Sequence, residues 1–515
     1  MKKKLLALAL ALVLALSLVA CSGGENKTVG EATTDPLTKD DVVSLYLLSH
    51  PTWPFKEDWK VWEYIEEGCG ATLDITAVPN ADAGTKWALM FAAPDTLPDI
   101  LTYDHKPSTD THALSGAIIS LDSQAEYMPN YNAWVASLNE TEYDAYVNTR
   151  KSFDGQVYYT PVKGRDTQEG VRCWIYRKDI FEKHNLETPK TFDELYTVSK
   201  QLKELYPDSY PFCLRSGFHT IRIMGPSFTP YWDPEFYYDF DNEKWCYGAL
   251  EDSMLEVISF FSKFVSEGLC PSNFMTISTT EWQELLSSER GFMTPEYMTR
   301  IDNFNSVVRQ SNPEFTMSAM MPPVANAEKG SAKVAKINND PMGMVMCNSR
   351  DAKRIANTAK FVDWMYSDEA FELTSWGKEG ETYEVVDGKR QYIKNGSLET
   401  PKVLYGFGSA GSFTNINAEA IESGDSDDIK AVREMVLGYS EDYMNPNLYL
   451  AFNAEEQKLL DECFVAVQNY CTEMFTKMCL GQEPLSKFDE YRETLREMGV
   501  DDLLEVYEAA YARIK

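Results

Sequence analysis

Apolar residues along this chain fall into short unbroken runs that alternate with longer helical stripes. Val42-Val43-Ser44-Leu45-Tyr46-Leu47-Leu48 is partly β-branched and predicts a buried strand. A turn-like stretch follows, Ser49-His50-Pro51-Thr52-Trp53-Pro54. Trp59, Trp62 and Ile65, interleaved with Glu63, Glu66 and Glu67, then give helical spacing that stops near Gly68 and Gly70. Thr72 to Val78 reads as a second strand, Lys86 to Ala92 as a short helix, and Pro98-Asp99-Ile100-Leu101 opens a third strand. Strand, helix, strand, helix, strand in quick succession predicts an α/β lobe with a mainly parallel sheet. Ligands of such sheets sit beyond the carboxyl ends of the strands. That rule places Pro51 to Pro54 and Tyr103 to Lys106 at the candidate site.

Further along, Phe153-Asp154-Gly155-Gln156-Val157-Tyr158-Tyr159 has the form of a hairpin turn between strand residues. Val171 to Tyr176 predicts a strand and Lys178 to His184 a helix. Thr191-Phe192-Asp193-Glu194 starts another helix, with Thr191 as N-cap and Glu194 completing a capping box. Helical patterns occupy 253–267 and 281–289, and Phe292 to Met298 and Phe315 to Met321 read as strands. Met342 to Cys347 predicts a buried strand, followed by a helix from Asp351 to Met365. From Ala454 the pattern is almost all helical, with Leu459, Leu460, Cys463, Phe464 and Val467 on one stripe.

Length changes the picture first: 515 residues exceed one compact core and imply two lobes. Hydrophobic residues at 44% and aromatics at 13% exclude a disordered chain. The formal charge is −32, which disfavours nucleic acid and anionic lipid surfaces as partners. The first residues carry a separate signal. Lys2-Lys3-Lys4 is a basic start, Leu5 to Leu16 is an apolar run too short to span a membrane, and Leu18-Val19-Ala20-Cys21 ends it. This resembles the lipobox of bacterial lipoproteins, so residues 1–20 are expected to be a signal peptide and Cys21 the lipidated N-terminus. Residues 21–40 are small and polar and fit a flexible tether. The other nine cysteines show no CxxC, and an odd count in a long chain predicts neither a disulfide framework nor a zinc site. Cys463, Cys471 and Cys479 recur every eight residues, near one helix face.

No catalytic constellation emerges. The five histidines form no HExxH, and the chain has no GxSxG elbow and no P-loop. Gly406 to Gly411 matches GxGxxG, but no βαβ unit frames it. Asp239-Phe240-Asp241-Asn242-Glu243 resembles a calcium loop but has Lys244 where the turn needs glycine. Aromatics beside loops and strand ends stand out instead: Trp53, Tyr103, Trp174, Tyr231, Trp232, Tyr297 and Trp376. Flat rings bury the C–H faces of sugars while acids and amides bond the hydroxyl edges. Arg172, Arg215 and Arg222 are candidates for an anionic group.

Several segments carry a family resemblance. These are Trp62-Glu63-Tyr64-Ile65-Glu66-Glu67 through Gly70-Ala71-Thr72-Leu73, Leu97-Pro98-Asp99-Ile100, Phe153 to Tyr158, Trp174-Ile175-Tyr176-Arg177-Lys178-Asp179, and Gly377 to Val385. Together they resemble the family 1 extracellular solute-binding proteins, the type related to maltose-binding protein, and most of all a long lipoprotein branch common in Firmicutes. The resemblance implies an α/β, two-lobed periplasmic-binding-protein-like fold with a ligand cleft between lobes and a helical C-terminal region. Lobe 1 is expected at 41–160 plus about 326–370, and lobe 2 at 161–325 plus about 371–515. It implies a non-catalytic, monomeric carrier, lipid-anchored at the extracellular face of the cell membrane, that binds a carbohydrate and delivers it to an ABC permease. The alternatives are a surface-anchored glycoside hydrolase, or a carrier for a peptide or an anionic sugar. By position the resemblance adds Asp104 beside Tyr103, and Glu296 beside Tyr297, to the ligand-binding set. No cofactor and no metal are expected, because Leu205 to Pro211 lacks the oxygen ligands some relatives place there.

Overall fold

The computed structural model describes residues 32–50, 53–103, 106–164, 171–337, 343–395, 399–408, 415–441, 444–445 and 450–513. In chain order the strands are β1 (Val42–Ser49), β2 (Thr72–Pro79), β3 (Ile100–Tyr103), β4 (Ile118–Ile119), β5 (Arg172–Arg177), β6 (Phe236–Asp239) and β7 (Lys244–Tyr247). There follow β8 (Met293–Tyr297), β9 (Met317–Met320), β10 (Lys336–Ile337), β11 (Gly343–Cys347), β12 (Tyr383–Val386), β13 (Lys389–Tyr392) and β14 (Met444–Asn445).

The first lobe is built on a five-stranded sheet in the order β2-β1-β3-β11-β4. β2, β1 and β3 run parallel, and β11 enters antiparallel between β3 and β4. Both faces of this sheet are covered, which is why its strands read as continuous apolar runs. Val43, Leu45, Leu47, Ile100, Met344 and Met346 pack into one core with the helix Lys60–Cys69. Leu48, Leu101, Val345 and Cys347 alternate onto the opposite face with Trp87 of the helix Asn80–Ala92. Asp99, 2% exposed, fastens the sheet. Its carboxylate accepts from the Ser44 amide at 2.8 Å and hydroxyl at 2.7 Å, and pairs with Arg354 of the helix Ala352–Trp364.

The second lobe has a three-stranded antiparallel sheet, β8-β5-β9, and a larger core. The helical C-terminus belongs to it. Val467, Cys471, Phe475 and Met478 of the helix Ala454–Cys479 are buried there beside the helix Asp252–Ser266. Phe236 of β6 stacks on Tyr507 of the helix Val500–Ala512 at 4.3 Å. Among the described residues no helix is long and apolar enough to cross a membrane.

The chain passes between the lobes more than once, and the passages touch. The Ile416 amide donates to Lys163 O at 2.9 Å, and Thr160 exchanges bonds with Met344. Gly164, at φ +82°, could not carry a Cβ, which would meet Ile416 O at 1.9 Å. The division of the chain differs from expectation in one segment. Leu373, Tyr392, Tyr405 and Phe407, expected in the second lobe, pack into the core of the first. The helix Asp427–Glu441 then returns to the second lobe with Val432 and Val436.

Local details refine several readings. Thr191 does cap its helix, accepting from the Glu194 amide, but the Glu194 carboxylate accepts from the Lys190 amide at 2.6 Å rather than closing the box on Thr191. Asp239 spends its carboxylate on the β6–β7 turn, accepting from the amides of Asp241 and Asn242. Gly406 of the GxGxxG match ends the helix Pro401–Tyr405 rather than opening one. The nine described cysteines are unpaired, and all but Cys463 are buried. Cys21 and its leader lie outside the described residues.

Candidate functional site

The site is assembled from strand ends on the two lobes. On the second lobe, antiparallel pairing sets Arg172 directly opposite Tyr297 at the end of β5 and β8. That register lays the Arg172 guanidinium over the Tyr297 ring, 3.2 Å from its centroid. Glu296, next along β8 and 1% exposed, contacts Arg172 Nη1 at 3.4 Å and Arg215 Nε at 2.6 Å. Its Oε1 also accepts the Tyr297 amide at 3.0 Å. Arg215 and Arg300 share a floor: their guanidiniums stand over the buried Trp282 at 5.2 and 5.8 Å. Arg172 Nη2 lies 2.8 Å from His219 Nε2.

The first lobe supplies the facing wall. His50, just beyond β1, stacks on Trp53 at 3.7 Å with ring planes 9° apart. Lys402 places its ammonium 4.5 Å from the centre of the Trp53 ring. Electrostatics tie the two walls together. Desolvation and the charges of Arg300, Lys402 and Arg215 push the His50 imidazole down to about 3. Desolvation, with Arg172, Arg222 and Arg215, pushes His219 down to about 3 as well. Both rings are therefore neutral at physiological pH, and can each offer one donor and one acceptor.

The expected residues divide sharply. Trp53 lies against His50 on the first lobe, and Glu296 and Tyr297 lie against Arg172 on the second. Trp174 sits apart, mid-strand in β5, flanked by β8 and β9, fully buried and stacked on Phe212 at 5.6 Å. Trp232 is also fully buried, its Nε1 donating to Gly248 O at 3.3 Å. Trp376 is enclosed in a small separate core, stacked on Tyr392 at 4.9 Å. Tyr231, at φ +61°, leans on Phe240 beside the β6–β7 turn. Tyr103 ends β3, and Asp104 lies outside the described residues. Of the three arginines singled out, Arg222 is held by Asp233 at 3.1 Å and Glu235 at 2.7 Å, whereas Arg172 and Arg215 join the cleft cluster. The reading missed Arg300, His219, Trp282 and Lys402. The usable signal was slight, namely an arginine three residues past Tyr297, at the first position of a helix.

Two lobes joined by several passages of the chain are an architecture that can close on a solute. The chain belongs to the bacterial extracellular solute-binding proteins, whose family pattern it matches over residues 55–370. It is similar to lipoprotein LipO of Bacillus subtilis, 23% identical over 399 residues that cover 75% of each chain. It is also similar to the fructooligosaccharide ABC transporter substrate-binding protein FusA of Streptococcus pneumoniae, 24% identical over 414 residues, 75% of this chain and 72% of that one. Among solved structures, the alginate-binding protein AlgQ2, crystallised without calcium ion, superimposes with a TM-score of 0.74 at 20% identity, covering 94% of this chain and all of that one. FusA in complex with kestose gives 0.73 at 19% identity, covering 92% of this chain and all of that one.

Proposed function

We propose that this chain is the lipid-anchored receptor of an ABC importer, tethered through Cys21, that takes a carbohydrate, an oligosaccharide, into its cleft and delivers it to the membrane permease. The reading is supported by two aromatic residues at strand ends of different lobes, Trp53 beside His50 and Lys402, and Tyr297 beside Arg172 and Glu296. Rings of this kind bury the C–H faces of a sugar, and lobe closure marks the loaded state. FusA, similar in both sequence and fold, is a fructooligosaccharide-binding protein of an ABC transporter, and AlgQ2 binds alginate. LipO, similar along three quarters of its length, is a lipoprotein, which supports the anchoring. The cleft acts by binding, with no bond made or broken.

A thermal-shift screen of the mature chain against oligosaccharides, monosaccharides and peptides tests this. A ligand at 100 times its Kd stabilises the native state by about 2.7 kcal/mol, a clear rise in Tm. The expected result is a rise with an oligosaccharide that is recovered uncleaved. Release of shortened sugar would make the chain a hydrolase instead, and a rise with peptides alone would replace the ligand class.

A further inference from the structure

The chain changes lobe at Gly424–Ser426, and it does so among charged groups. Before the change, the Ser423 hydroxyl donates to Arg390 O at 3.0 Å and the Lys394 ammonium donates to Gly424 O at 3.1 Å. These partners belong to β13 or follow it, and Tyr392 of that strand packs into the core of the first lobe. A Cβ on Gly424 would meet the Pro401 ring at 3.2 Å, so the chain lies close against that lobe. After the change, the Arg433 guanidinium donates to the Asp425 carboxylate at 2.6 Å, and the Ser426 hydroxyl donates to Asp302. Asp302 stands on the helix Arg300–Val308 and Arg433 on the helix Asp427–Glu441, both packed in the second lobe. Consecutive residues are thus held by different lobes. The helix that carries Asp302 begins with Arg300, one of the charges that act on His50 of the first lobe. The lobes are therefore near one another in the arrangement that packs the crossing.

Charged groups face Asp425 from each element around it. Arg433 attracts it from the helix Asp427–Glu441, Asp302 repels it from Arg300–Val308, and Glu422 repels it from Ala418–Gly424. Lys394 is attracted by Asp302 and Asp425 and repelled by Lys430. Asp428 acts on Asp302 and is itself paired with Arg309. The Asp425 side chain is 10% exposed, and its burial outweighs Arg433, pushing the carboxyl up to about 6. Burial raises Asp302 as well. Holding ionised carboxylates out of water is costly, and either proton uptake or hydration of the crossing relieves that cost.

We propose that Gly424–Ser426 is an acid-tightened clasp: proton uptake by its carboxylates stabilises the packed crossing and with it the closed arrangement of the lobes, while their ionisation favours a hydrated, opened crossing. The sign follows from linkage. A packed crossing holds its proton more tightly than a hydrated one, so falling pH favours packing. A carrier built this way grips its solute harder in acid and lets go more readily towards neutral pH, whatever the solute is.

The experiment is a pulsed electron spin measurement of the distance between labels at Leu89→Cys on the first lobe and Val465→Cys on the second. The mature chain carries Cys21→Ser and Cys463→Ser and is free of solute. Both label positions are exposed, and the remaining eight cysteines are buried. From pH 7.5 to pH 5 the ratio of near to far separations should rise about tenfold, as expected for a carboxyl at about 6 when packed and about 3.9 when hydrated. His50 and His219, held at about 3, stay neutral over that range. Asp233 and Asp363, also raised by burial, are bonded within single lobes and are present in every variant. Asp425→Asn should lose most of the tenfold rise. Lys394→Met removes a neighbouring cation and should move the midpoint of the rise to higher pH, which loosened packing alone does not do. That second variant also decides the matter where Asp425→Asn fails to fold. A ratio that stays flat with pH, or a rise of unchanged size and midpoint in the variants, overturns the clasp.

Discussion

His50 and His219 are the residues whose protonation the cleft most distorts. Each holds no proton in the folded chain until about pH 3, but takes one in the unfolded chain below about 6.5. Between those limits the unfolded state binds more protons, so stability falls as pH drops from 6.5 towards 3. Asp425, beside Arg433 and pushed up to about 6 by burial, acts with the opposite sign. The comparison must therefore be made within a pair of proteins. On going from pH 7.5 to 4.5 the urea midpoint of the native chain should lose ground to that of the His50→Gln, His219→Gln double variant, because Asp233, Glu251, Asp302 and Asp363, raised by burial like Asp425, act equally in both; a constant difference between the two proteins would show that the histidines do not contribute. The same scale explains what could be read of the site. The positions of Trp53, Glu296 and Tyr297 at strand ends were legible because the strands that carry them read as apolar runs. Trp174, Trp232 and Trp376 misled because a tryptophan in a strand or beside a loop looks the same in sequence whether its ring faces solvent or a core. Only the flanking strands of β5, or the enclosing Tyr383 and Tyr392, tell the two apart.

At the scale of elements, Asp99 shows how a short motif can be structural. In Leu97-Pro98-Asp99-Ile100 the carboxylate locks β1 beside β3 and holds the helix Ala352–Trp364 by Arg354. Asp99→Ala leaves the Ser44 amide and hydroxyl without that acceptor on an interior strand of the sheet, at an expected loss of about 3 kcal/mol, with Asp99→Asn losing less. Urea unfolding at constant m-value measures both, and an unchanged midpoint would mean the network adds nothing to the fold. Strands such as β1, β5, β8 and β11 were readable because two-sided burial writes itself as an apolar run. The placement of residues 373–407 was not, because the choice between two lobes depends on where Phe407 and Tyr392 find a surface, a matter of packing between distant segments. The capping box at Thr191 shows a finer limit, since the motif leaves open which backbone amide the Glu194 carboxylate will take.

For the whole molecule, length alone implied two cores, and two main cores are present. Their joining passages, with Gly164 pressed on Ile416 and Gly343 on Thr160, depend on contacts that no local pattern encodes. The cysteines, unremarkable as a sequence pattern, are distributed over both lobes: Cys69 and Cys347 in the first, Cys173, Cys213, Cys246, Cys270, Cys471 and Cys479 in the second. Burial raises each of these eight thiols above its ordinary range, so their thiolates are scarce near neutrality and they are poor nucleophiles for disulfide exchange. An alkylating reagent should modify Cys463 in native buffer and the eight buried thiols only in urea, as mass spectrometry of the labelled chain would count. Rapid native labelling of the buried set would contradict their enclosure. Each lobe thus carries its own chemical clock. The rate at which its thiols are capped records how often that half of the protein breathes, and a solute that clamps the halves together should slow both clocks at once.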